Sequence, residues 1–210
     1  DSLSAGDGGA IWAGTSESFK TSGNMVFTQN QTEGGSGSSN INYADGGAIF
    51  IAGGSPAFKI TSSYSFTDNV SYGAGGAVYV IGEVQITNYE LSNKNSSENG
   101  DGGFVYASGN VNISGSTISN QESGISGGVV FSEGNVTINN SNFNKNVAEE
   151  SGGAIYAEGY ITVDNSTFGN AEGNTAEANG GAIYSEKYIR ISLSQFNDNE
   201  AGESGGAVYA

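Results

Sequence analysis

The chain has 210 residues, 22 acidic and 6 basic, and a net charge of −16. That charge repels phosphate and anionic lipid, which excludes nucleic acid and acidic membranes as partners. It has no cysteine and no histidine, so disulfides, thiolate chemistry, the commonest general base and the commonest metal ligand are all missing.

The 35 glycines come with a single proline, Pro56, and with apolar residues at fixed intervals, which argues against collagen and against disorder. The chain opens with Ile11-Trp12-Ala13, a Ser/Thr-rich corner, Phe19 and Met25-Val26-Phe27. A polar excursion over 31–45 reads as a flexible loop. From Gly75 the pattern is regular, with turns starting at Gly75, Gly102, Gly127, Gly152 and Gly180. Three residues on stand Val78, Val105, Val130, Ile155 and Ile183. Next come apolar pairs flanking one polar residue: Val84/Ile86, Val111/Ile113, Val136/Ile138, Ile161/Val163 and Ile189/Ile191. This alternation buries one strand face and wets the other. Leu91, Ile118, Phe143, Phe168 and Phe196 close the third segment of each turn.

β-Branched residues dominate and no helical stripe is present, so the prediction is all-β. Three short strands per turn, coiled about one axis over seven to eight turns, make a right-handed parallel β-helix, a solenoid. Residues 1–210 read as a single unit, with irregular turns over 1–74 and regular turns over 75–210. Glycine or asparagine at Gly82, Gly109, Gly134 and Gly159, and at Asn88, Gly115, Asn140 and Asn165, is expected to supply left-handed corners. Extra residues after Phe27, Leu91 and Phe168 are expected at one corner of the coil.

Two motifs recur. The first is Gly-Gly-Ala-[Ile/Val], a structural corner. Its copies are Gly8-Gly9-Ala10-Ile11, Gly46-Gly47-Ala48-Ile49, Gly75-Gly76-Ala77-Val78, Gly152-Gly153-Ala154-Ile155, Gly180-Gly181-Ala182-Ile183 and Gly205-Gly206-Ala207-Val208. Gly102-Gly103-Phe104-Val105 and Gly127-Gly128-Val129-Val130 depart from it. The next residue is always aromatic: Trp12, Phe50, Tyr79, Tyr106, Phe131, Tyr156, Tyr184 or Tyr209. Five are tyrosines whose hydroxyls need partners, so this ladder is placed outside and Ile/Val inside. The second motif is Phe-x-x-Asn, the candidate binding motif, at Phe27/Asn30, Phe66/Asn69, Phe143/Asn146 and Phe196/Asn199. The Phe is expected in the core. The Asn is expected to cap an accessible corner and stack on its equivalents, at about 1 kcal/mol each. The stretches after Leu91, Ile118 and Phe168 break this motif. Asp7, Asp45 and Asp101 precede a Gly-Gly and read as corner residues. No catalytic, metal or cofactor site is expected, and the chain reads as a non-enzyme.

The interleaving of Gly-Gly-Ala-[Ile/Val] with Phe-x-x-Asn resembles the chlamydial polymorphic membrane proteins. The resemblance implies an autotransporter passenger at the bacterial outer membrane and cell surface. It further implies an adhesin that attaches to host epithelial cells through a host surface receptor protein. By the same reading this chain is a passenger piece without signal peptide or barrel and does not insert in the membrane itself. Separately, unpaired strand edges and bare apolar core near Gly8 and Ala210 lead to the expectation of end-to-end homo-oligomers. A carbohydrate-active β-helix enzyme and a passive spacer are the competing readings.

Overall fold

The computed structural model describes residues 2–4, 6–15, 19, 23–34, 44–170 and 172–210. Most of the predicted loop 31–45 (residues 35–43) lies outside the described residues. No helix occurs among those described. Short strands stack in parallel on their equivalents one turn away. Ile11 pairs with Ile49, then come Val78, Val105, Val130, Ile155, Ile183 and Val208 in unbroken register. The chain is a β-solenoid, as the alternation predicts.

The turns from Gly102, Gly127, Gly152 and Gly180 each carry four strands instead of three. In the turn that starts at Gly152 they are Ile155–Ala157, Ile161–Asp164, Thr167–Phe168 and Thr175–Ala176. The fourth is two residues long here, too short to show alternation. It pairs in sequence from Ser2–Ser4 to Glu200–Ala201, forming an eight-stranded sheet. In the two turns from Gly46 and Gly75, the first two strands run on as Ile49–Ile60 and Val78–Thr87.

The core follows from these strands. Val78, Val105, Val130, Ile155 and Ile183 are fully buried, as are Phe66, Phe143 and Phe168. Burial of each such side chain stabilises by about 1.5–3 kcal/mol. The Ala of the Gly-Gly corner also points inward, where Phe104 and Val129 replace it, both fully buried. Phe104 packs against Phe66 at 5.4 Å and Tyr89 at 5.8 Å between ring centroids. It shares the core with Leu91 and Ile118, which stand where other turns place phenylalanine.

The Gly-Gly corner needs both glycines, for different reasons. Gly152 has φ of 67°, a conformation that side chains resist. A Cβ on Gly153 would lie 2.2 Å from the Gly181 carbonyl oxygen of the next turn. The later corner is left-handed as predicted, at Asn88, Gly115, Asn140 and Asn165. The corner at Gly109, Gly134 and Gly159 is not. A Cβ there would fall within 2.8 Å of the preceding turn, so close approach requires those glycines. The insertions also differ from expectation. Those after Leu91 and Phe168 separate the third strand from the fourth. The long one follows a fourth strand, Asn30–Thr32.

Candidate functional site

The outward aromatic ladder is continuous. Eight rings from Trp12 to Tyr209 stack at 4.5–6.5 Å between centroids, within 9° of parallel. Trp12 is exposed, whereas Phe50 and Phe131 are covered by neighbouring rings. Rings packed at rung spacing hide their faces and present edges and hydroxyls. Ring-face stacking on a ligand is therefore closed along most of the ladder. A carboxylate column borders it. Tyr106 donates to Glu133, and Tyr156 Oη donates to Glu186 Oε1 at 2.7 Å. Burial first, and then the neighbouring Glu186 and Glu133, push the Glu158 carboxyl up.

Phe-x-x-Asn is an interior motif. Phe66, Phe143, Asn69 and Asn146 are fully buried, Phe27 and Asn30 nearly so, and Phe196 and Asn199 half-buried at the last rung. The accessible Asn corner expected from sequence is thus replaced by a buried amide ladder. Asn30 Nδ2 donates to Asn69 Oδ1 at 2.8 Å, and Asn69 Nδ2 to Asn95 Oδ1 at 2.9 Å. Below, Asn146 Nδ2 donates to Asn174 Oδ1 at 2.8 Å and Asn174 Nδ2 to Asn199 Oδ1 at 2.9 Å. Each oxygen also accepts the backbone N–H of the previous rung, as Asn146 Oδ1 does from Gln121 at 3.1 Å.

Sequence reasoning missed Asn95, Gln121 and Asn174, which fill this ladder in the three turns that break the motif. Counting back six residues from the next Gly-Gly finds Gln121, Asn146, Asn174 and Asn199 alike. The spacing from the third strand fails for Asn95 and Asn174 because insertions fall between, whereas Gln121 keeps the spacing but is not asparagine. A serine ladder was missed as well. Ser116, Ser141, Ser166 and Ser194 each accept the preceding rung's backbone N–H at 3.1–3.2 Å.

One notch interrupts the corner column. Asp45, Ala74 and Asp101 stand on successive rungs, with Tyr79 and Tyr106 beside them, around a cavity of about 270 Å³. Burial pushes both Asp45 and Asp101 up to about 6. Each remains a corner residue, as predicted: Asp45 Oδ1 accepts Ala74 N–H at 2.7 Å and Asp101 Oδ1 accepts Ser126 N–H at 3.0 Å. Two rungs separate them by about 10 Å at the usual strand spacing.

The model of the Chlamydia polymorphic membrane protein repeat matches residues 63–81, 140–158, 172–186 and 194–210. Each match runs through a ladder Asn into the next Gly-Gly-Ala corner, at Asn69, Asn146, Asn174 and Asn199. These four stretches carry the repeat of the chlamydial polymorphic membrane proteins. The departing corners, with Phe104 and Val129, fall between the matched stretches. The repeat match points to a surface protein of the autotransporter passenger type. No curated protein and no solved structure matches the chain significantly.

Proposed function

We propose that this chain is the adhesive surface of an autotransporter and attaches to host epithelial cells through a receptor protein. One observation carries the reading: both repeated motifs face inward, leaving an outward strip of aromatic edges and carboxylates that recurs once per turn. Gly-Gly-Ala-[Ile/Val] and Phe-x-x-Asn then serve adhesion by holding that strip in register. Weak contacts repeated along a rigid rod gain avidity without any new contact. The net charge favours a receptor surface with basic patches.

The Asp45–Asp101 notch is the feature an enzymatic reading would use. Its two carboxylates each hold a backbone N–H of the scaffold, which speaks for a structural role. The test is binding of the labelled chain to cultured epithelial cells. Saturable binding that excess unlabelled chain displaces supports adhesion. Absence of binding by correctly folded chain leaves the spacer reading in its place.

A further inference from the structure

The third-strand sheet is split. Met25–Thr28 pairs with Tyr64–Thr67, and a separate five-stranded sheet begins at Glu90–Leu91. A cleft of about 480 Å³ lies at the split, lined by Ser62, Tyr64, Asn88, Tyr89, Glu90 and Gly115. Two residues open it. Counted from the paired Ile60 and Ile86, the turn holding Ser62 has one more residue before Phe66 than the next turn has before Leu91. Gly115 replaces the asparagine that Asn140 and Asn165 supply in the same column, where Asn165 Nδ2 donates to Asn140 Oδ1 at 2.7 Å.

The consequence is a group of polar side chains without protein partners. Asn88 Oδ1 lies 2.5 Å from where a Gly115 Cβ would stand, so the amide leans into the space that the glycine leaves. Among the described residues, the side chains of Ser62, Asn88 and Glu90 make no hydrogen bond to the protein, so their polar atoms are free to face a ligand. The Tyr89 hydroxyl below them is buried and lies against the Phe66 backbone without reaching hydrogen-bond geometry.

We propose that this cleft binds one residue of a neutral hydroxyl-rich sugar. Hydroxyls donate and accept, which suits an amide, a hydroxyl and a carboxylate converging on one space. The Tyr64 ring gives the space an aromatic wall, and its volume falls within the usual range for small-ligand sites. Among the described residues no lysine or arginine lines it, and Glu90 would repel a sugar carboxylate. The site adds a contact chemistry to the proposed adhesion but does not depend on it. Soluble sugars test it without cells, so its failure leaves cell attachment standing.

The experiment is saturation-transfer NMR on the full chain with methyl glucoside, methyl galactoside, methyl mannoside, N-acetylglucosamine and glucuronate. At least one neutral sugar is expected to bind, with glucuronate at least tenfold weaker. Gly115→Asn continues the neighbouring asparagine column at a backbone angle (φ of 60°) close to that of Asn140 (φ of 50°), and should weaken binding at least tenfold. Asn88→Ala keeps the cleft open and should also weaken it about tenfold. Silence from every neutral sugar, undiminished binding in both variants, or glucuronate binding as tightly as a neutral sugar would overturn the proposal.

Discussion

Replacing Asn146 with alanine probes the amide ladder where it is fully buried. The side chain makes three hydrogen bonds. Its Oδ1 accepts Gln121 N–H at 3.1 Å, and its Nδ2 donates to Ile118 C=O at 3.2 Å and Asn174 Oδ1 at 2.8 Å. At about 1 kcal/mol net per bond, with a further 1–2 kcal/mol for the orphaned Gln121 N–H, the loss is about 4 kcal/mol. The corner cap read from sequence predicts only about 1 kcal/mol. Asn146→Gln should be much milder, because Gln121 already holds the same rung position. Urea titration followed by circular dichroism measures both variants. A loss below about 1 kcal/mol for Asn146→Ala would refute the buried ladder as a source of stability.

Phe104→Ala restores the family motif yet should destabilise by about 3–5 kcal/mol, read by the same titration, because Phe66 and Tyr89 lose the ring between them. Gly153→Ala should cost about 3 kcal/mol or more, since the new Cβ meets backbone that cannot turn aside. For Asp101, the folded carboxyl at about 6 lies above the ordinary value of 3.8. The stabilisation from its protonation is full below 3.8 and lost as pH rises through 6, so the native fold should gain stability on acidification from pH 7 to 5. Asp101→Asn still accepts the Ser126 N–H, and should raise the Tm at pH 7.5 and flatten the profile between pH 5 and 7. After discounting for solvent screening, the gain is about 1–2 kcal/mol. Thermal melts across pH that give parallel profiles for both proteins would contradict it.

The solenoid is legible because its first two strands alternate in register with Val78 and Val84 and their equivalents. Long-range pairing then follows from stacking like on like. The outward placement of the aromatic ladder is legible for the same reason, together with the need of five tyrosine hydroxyls for partners. The fourth strand escapes because two residues carry no period. The ladder positions of Asn95 and Asn174 escape because insertions shift them relative to Leu91 and Phe168, while the Gly-Gly corner beyond still fixes Asn174. Phe104 is unreadable locally, since its ring packs on Phe66 and Tyr89, which are distant in sequence. The sugar cleft depends on an absence, the missing side chain of Gly115, which gains meaning only beside Asn88 in the folded column.

The central claim is that the repeated motifs build the scaffold and that outward residues make the contacts. Attachment of Asn146→Ala to epithelial cells, measured against its folded fraction over a temperature series, tests this directly. The account predicts that attachment per folded molecule equals that of the unsubstituted chain at every temperature. Attachment lost while Asn146→Ala remains folded would contradict it and make the motif itself the receptor contact.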